Sequence, residues 1–270
     1  MALLPSNTRK GLGLRFEEGM PTTFGLETLC LGDADEIPAE FVGHELSIPV
    51  GGMHDQGATN SCVAHAFGHA IILKEAREGF DYDEPAWLFP YWMSRKEHDA
   101  QWFDGGTYLR TMGIALRKFG MPSARYWKWG QFSTRVNRRP NWTAMRKAHP
   151  RRGGKYVRIY ETGDRRILAI QRALMAGHDV AFGTRLGVSF IPSRGSSRID
   201  LPPVTEAIAG NHAMLIIGWR RFAGVTYFRV LNSWGREWRD RGLCWMSAEY
   251  IASSYTKDLH IVHGWERVRT

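Results

Sequence analysis

The 270-residue sequence has only three cysteines, Cys30, Cys62 and Cys244. They are too few and too scattered for a disulfide framework, and an odd number leaves at least one thiol free, so a reducing compartment is expected. Long apolar runs are also missing. The stretch from Ala213 to Trp219 is among the longest, far short of the ~20 residues that a membrane-crossing helix needs. The opening residues MALLPSNTRKGLGLRFEEG lack the charged-then-apolar order of a secretory signal. The expected location is the cytoplasm, or a larger particle that incorporates the chain. No internal repeat, low-complexity tract or long Gly/Ser linker divides the sequence. It reads as one domain of two lobes, preceded by a loop-like arm over residues 1–45.

Acidic residues are in deficit: 27 Asp and Glu face 36 Lys and Arg, a net charge of +9. The imbalance is concentrated in residues 121–166, which hold 13 Lys and Arg against Glu161 and Asp164. Tyr126, Trp127, Trp129, Phe132 and Trp142 are interleaved with them. The plain reading is a solvated face; the sharper one is a surface for an anionic polymer or a partner protein.

Helical patterns occupy the first half. One starts at Cys62, is rich in alanine and runs to Arg77 before Gly79; a second spans about Thr107 to Phe119, with Leu109, Met112, Leu116 and Phe119 on one face. A third runs from about Arg165 to Met175. Short apolar runs then follow at Val180–Phe182, Ala213–Trp219, Tyr227–Asn232 and Leu243–Met246, separated by Gly and charged turns. The boundaries expected are a helical lobe over 46–165, a β-rich lobe over 166–255 and a C-terminal tail over 256–270, an α+β arrangement.

A cysteine becomes a nucleophile at neutral pH when a helix N-terminus and a nearby imidazolium stabilise its thiolate. Cys62 opens a helix. The turn-prone loop before it, Asp55-Gln56-Gly57-Ala58-Thr59-Asn60-Ser61, can bring a Gln amide and the Cys62 backbone N–H around one point, the two donors of an oxyanion hole. This segment resembles the nucleophile segment of papain-like cysteine peptidases, with Gln56 similar to their oxyanion glutamine. It departs from the common form in Val63 and in Asn60-Ser61, and small residues after the cysteine resemble the bacterial-type branch.

The second half carries the resemblance further. Asn211-His212-Ala213-Met214-Leu215-Ile216-Ile217-Gly218-Trp219 resembles the family's histidine strand, and Leu231-Asn232-Ser233-Trp234-Gly235 its asparagine segment. The order Cys, His, Asn is preserved, with the histidine at the upper end of the roughly 130–150 residues expected downstream. The resemblance implies a two-lobe fold, helical and β-barrel-like, with the active-site cleft between the lobes. It implies Cys62 as nucleophile, His212 as general base, Asn232 as its orienter and Trp234 as the shield of the His-Asn pair, with a Cys62 thiolate and His212 imidazolium at rest. Asp104-Gly105-Gly106-Thr107 resembles the substrate-binding Gly-Gly segment. Gly105, Gly106, Thr107 and Tyr108, with Gly210 and Asn211 on the far wall, are then the expected substrate-binding residues.

Peptide-bond hydrolysis through an acyl-thioester on Cys62, without metal or organic cofactor, is the function so implied, with a peptide or protein as substrate. Two other readings stand beside it: a papain-fold adaptor within a larger assembly, and a cysteine amidase acting on cell-wall peptides. Cys62, His65 and His69 share a helix face at a spacing that sometimes binds zinc, yet no fourth ligand stands at a recognisable spacing. Structural packing is the expected role of those two histidines. Cys30 and Cys244 are expected to be inert.

Overall fold

The computed structural model describes residues 10–17, 37–45, 48–49, 52–128, 136–148, 151–152 and 154–263. Cys30, Trp129, Phe132, the arm residues 1–9 and 18–36, and residues 264–270 lie outside the described residues.

Helix α1, Cys62–Arg77, is buried along most of its length, including Phe67, Ile71 and Leu73. Alanine and unbranched side chains favour the helix, and Lys74 and Arg77 sit where its C-terminal carbonyls concentrate negative charge. Helix α2, Leu88–Lys96, has no counterpart in the sequence reading because Pro90 looks like a breaker. The proline falls in the first turn, where its missing N–H has no intrahelical partner to lose. Helix α3, Leu109–Phe119, turns Leu109, Met112 and Leu116 inward and stops at Gly120. Helix α4, Trp142–Lys147, is one short turn capped by the Asn141 side chain.

Among the described residues, eight strands make one sheet: β1 (Glu40–Phe41), β2 (Lys155–Ile159), β3 (Val180–Gly187), β4 (Arg198–Ile199), β5 (Ile208–Phe222), β6 (Val225–Leu231), β7 (Leu243–Ser247) and β8 (Thr256–His263). Their order is β2-β8-β3-β5-β6-β7-β4, with β1 added on β5. Helices α5 (Gly163–Met175) and α6 (Ala248–Ala252) complete the chain. The α+β architecture matches the expectation, but the sheet is open, so "β-barrel-like" is corrected to an unclosed sheet. Residues 256–263 are likewise no tail. They form β8, antiparallel to both β2 and β3, and their mix of Lys, Asp and His with Leu259 and Ile261 hides a strand covered on both sides.

Two cores flank the central strands. Cys62, Phe67, Leu109 and Met112 pack with Ala213, Leu215 and Leu231 on the helical side. Ile170, Leu174, Phe182, Trp219 and Phe228 pack on the other. The alternation along β5 therefore divides its residues between both cores.

Two arginines of the basic segment, Arg151 and Arg166, face inward, while most of its other described Lys and Arg residues are exposed. Arg151 forks onto Glu75, Nε to Oε1 at 2.9 Å and Nη2 to Oε2 at 2.7 Å, and both side chains are only 4% exposed. Arg166 donates to the backbone carbonyls of Glu161, Ile251 and Thr256, and Arg158 pairs with Asp258. Glu75→Ala leaves the interior Arg151 guanidinium with only Asp83, whose carboxylate is 3.5 Å away and whose carbonyl accepts at 2.9 Å. Urea unfolding is expected to show a loss of about 3–5 kcal/mol; a loss under ~1 kcal/mol would show that the pair behaves as a surface bridge.

Candidate active site

The fold brings four of the sequence-selected residues to one place. α1 begins at Cys62 with no side-chain cap and no acid in its first turn, so its free N–H groups remain directed at that end. His212 lies in β5, in register with Thr184 of β3, and Asn232 follows directly after β6. Backbone N–H groups of Ala213, Gly13, Val63 and Cys62 point at the Cys62 sulfur, which puts the thiol against the residue next to His212.

His212 Nε2 donates to Asn232 Oδ1 at 2.8 Å, with both residues buried. That bond fixes the tautomer and leaves Nδ1 as the lone-pair nitrogen. Nδ1 has no hydrogen-bond partner among the described residues. The Trp234 indole lies 4.7 Å from the imidazole at 33° and is itself buried, excluding water from the His-Asn bond. Gln56, fully buried, donates from Nε2 to the carbonyls of Thr59 at 2.7 Å and Gly11 at 3.1 Å. The Cys62 thiol, the His212 imidazole with its unpartnered Nδ1, the Asn232 amide and the Gln56 amide thus lie on adjoining segments.

Comparison with known proteins bears on the fold. Residues 196–260 match the family model for papain family cysteine protease. The chain superposes on xylellain, a cysteine protease from Xylella fastidiosa, with a TM-score of 0.83 at 22% identity over 99% of this chain and 100% of that one. The chain has the papain-like fold. It also resembles proCathepsin B from Trypanosoma congolense, with a TM-score of 0.70, 16% identity and coverage of 97% and 88%. An uncharacterised peptidase C1-like protein of Acanthamoeba polyphaga mimivirus is 29% identical over 205 residues, 73% of this chain and 65% of that protein. The match thus spans about two thirds of the viral relative's length.

In this papain-like chain the cleft is filled by its own arm. Residues 10–17 cross it: Gly11 N–H donates to Gly57 O at 3.1 Å, Thr107 N–H to Gly13 O at 2.9 Å and Arg15 N–H to Thr107 O at 2.9 Å. Leu12 N–H donates to Asn60 Oδ1 at 3.2 Å. The backbones approach so closely that a Cβ at Gly13 would stand 1.8 Å from the Asn60 carbonyl oxygen, and one at Gly106 2.0 Å from that of Gly13. The Gly-Leu-Gly-Leu run of the arm is therefore shaped to the cleft. Of the expected substrate-binding residues, Thr107 makes the backbone bonds and Gly106, at φ +78°, provides clearance. Tyr108 stacks under Arg15 at 5.1 Å. Gly210 faces Leu12, while Gly105 abuts the Phe103 ring. Asn211 stands beside Gly210, in register with Arg185.

Coverage alters the electrostatics. Cys62 is 0% exposed, and burial pushes its thiol up to about 11, outweighing the backbone N–H groups that favour the thiolate. Burial likewise pushes His212 down to about 4, against the Asn232 hydrogen bond. Burial in the covered cleft thus works against both charges of the expected thiolate-imidazolium pair. Desolvation penalises both charges at once.

His65 and His69 do pack structurally, stacking at 4.8 Å and edge-on at 5.1 Å against Trp87. Burial lowers His65 well below its ordinary value, and His69 and His260 to about 3. With His212 these four stay neutral when folded, whereas in the unfolded chain they take up protons below about pH 6.5. Their contribution is constant above that pH and turns destabilising as pH falls through it. By pH ~5.5 each should have removed about 1.4 kcal/mol. Melting temperature followed from neutral pH to that point should fall steadily; a flat profile would show that these imidazoles are solvated.

The sequence reading missed several residues that hold the site. Asp104 accepts from the Asn60 N–H at 3.0 Å through its carboxylate, and its carbonyl accepts from Asn60 Nδ2 at 2.6 Å. Tyr91 donates to Asp104 Oδ1 at 2.5 Å. Asn60 and Asp104 both lie inside the segments quoted for the resemblance. Nothing in a linear reading shows that they meet.

Proposed function

We propose that this chain is a cysteine peptidase that forms an acyl-thioester on Cys62, and that the described arrangement is its latent, arm-covered form. The observation that carries this reading is the Gly11 carbonyl held 3.1 Å from Gln56 Nε2. A peptide carbonyl already occupies the donor that a tetrahedral oxyanion would need. With the cleft open, His212 Nδ1 takes the Cys62 proton and the thiolate attacks the substrate carbonyl carbon. The oxyanion so formed accepts from Gln56 Nε2–H and the Cys62 N–H. Collapse breaks the C–N bond, and His212 passes its proton to the leaving amine. Water, deprotonated by His212, then hydrolyses the thioester and restores the thiol.

Asn232 keeps the imidazole in the required tautomer, and Trp234 keeps that bond dry. An open cavity of about 390 Å³ beside Trp234, bordered by Lys10, His54, Asp55 and Arg236, gives room for the leaving part of a peptide. Peptides and proteins are the proposed substrates. Incubating the arm-released chain with a broad peptide library, with Cys62→Ala as control, tests the reading by mass spectrometry of the products. New amine and carboxylate termini that depend on Cys62 are expected; no cleavage above the control would sink it.

A further inference from the structure

No Asp or Glu lies between Asp104 and Glu161 in the sequence. The inward cations of the basic segment have found acids from elsewhere, Arg151 with Glu75 and Asp83, and Arg158 with Asp258. The outward ones have not. Arg138, Arg139, Arg146 and Lys147 are all exposed, and among the described residues the ion pairs of this segment involve none of them.

Helix α4 fixes part of this face. Ala144 and Ala148 are buried, so Trp142 and Arg146, one turn apart, share the outer side. Asn141 Nδ2 donates to the Tyr126 carbonyl at 3.5 Å, and Lys147 Nζ stands 5.8 Å from the centre of the Tyr126 ring. The helix is thereby held down while its Trp142 indole stays 77% exposed. Like charges held side by side without acids repel one another, and a bound anion relieves that repulsion.

The face is also joined to the cleft. Arg95, 1% exposed, donates from Nη1 to the Phe103 carbonyl and, at 2.9 Å, to Asn137 Oδ1; its Nη2 donates to the Val136 carbonyl. One interior guanidinium therefore holds Val136 and Asn137 against the residue that precedes Asp104-Gly105-Gly106. Arg138 and Arg139 come next in the chain. The arm shows which way the cleft runs from there: Lys10 lies at the Trp234 carbonyl and Gly13 at Gly106. The end near Gly106 is thus opposite the cavity beside Trp234 assigned to the leaving part of a peptide.

We propose that this face is an exosite for protein substrates that carry an acidic segment on the N-terminal, acyl side of the scissile bond. The assignment rests on the peptidase reading above. A substrate chain leaving the cleft past Gly106 and Phe103 meets Arg138 and Arg139, then Arg146 and Trp142. Its carboxylates gain Coulomb attraction and bidentate guanidinium hydrogen bonds, and the indole covers an apolar neighbour. Such binding is the same before and during bond breaking, so it lowers KM and leaves kcat unchanged. A single-stranded nucleic acid would meet the same cations, but the Arg95 tie to the cleft favours a peptide.

The test uses the full-length chain with Gly13→Val to displace the arm, and a peptide core that it cleaves. The core is compared with the same core carrying a run of glutamates, or of glutamines, on its N-terminal side. At low ionic strength the glutamate substrate is expected to exceed the glutamine one about tenfold in kcat/KM, with kcat within about twofold. Salt at about 0.5 M should erase that gain. Arg138→Glu, Arg139→Glu and Arg146→Glu combined should erase it too, with hydrolysis of the bare core kept within about twofold, which also shows that the variant is folded. An equal gain in the charge-reversed variant would overturn the exosite. So would an oligothymidylate that binds the reference but not the variant while the glutamates bring no gain; the face would then belong to nucleic acid. A reference that labels at Cys62 yet cleaves no peptide would bring down the peptidase reading. Fluorescence anisotropy of a labelled glutamate peptide would then still judge the face, and equal binding to reference and variant would overturn it.

Discussion

Gly13→Val in the full-length chain is expected to raise the alkylation rate of Cys62 at neutral pH by about a thousandfold. A Cβ at Gly13 meets the Asn60 carbonyl oxygen at 1.8 Å, so the arm must leave its track through Gly57, Asn60 and Thr107. Two effects then combine. Solvent reaches a sulfur that is 0% exposed, and the thiol loses the burial that pushes it from 9.0 to about 11. The second effect alone multiplies the thiolate fraction about a hundredfold at neutral pH; access supplies roughly another factor of ten. The pH profile provides a separate check. Alkylation of the covered chain should keep climbing toward pH 11, while that of the released chain levels off at lower pH. Equal rates and equal profiles would mean that residues 10–17 do not control the thiol.

In the released background, Cys62→Ala and His212→Ala should each lower kcat/KM for peptide hydrolysis by about 10⁵- to 10⁶-fold. The two act as a unit, so the double variant should be little worse than either. Asn232→Ala should lose less, on the order of 10² to 10⁴, because it orients a neutral imidazole and exchanges no proton. Its second task, accepting the Ser233 N–H at 2.8 Å, ties it to the oxyanion loop, so part of its loss should overlap with that of Gln56→Ala. A His212→Ala variant that retains most of its activity would remove the general base from the account.

The proposed site was legible in the sequence wherever it is written in contiguous residues. Gln56 through Cys62, His212 through Trp219 and Asn232 through Gly235 each carry their own local pattern, and the structure brings them to one cleft. What escaped is long-range or disguised. The Ser233–Gln56 and Asp104–Asn60 bonds join positions that no periodicity relates. The strand at Thr256–His263 is masked by charged residues, of which Asp258 pairs with Arg158 of β2. α2 is masked by Pro90. The basic segment looked uniformly like surface, yet Arg151 and Arg166 are interior, because each found a buried carboxylate or a set of carbonyls. Trp142, 77% exposed, and Arg138, Arg139 and Arg146 remain on the surface. The expected thiolate-imidazolium pair assumed an open, polar cleft, and a covered one disfavours both charges.

The most direct measurement is covalent labelling of the full-length Gly13→Val chain with an epoxysuccinyl peptide, followed by peptide mapping. A single adduct on Cys62, lost on His212→Ala and slowed in the unmodified, arm-covered chain, is the predicted result. An adduct on Cys244, or no Cys62 adduct while the chain remains folded, would contradict the claim that Cys62 is the nucleophile of this site.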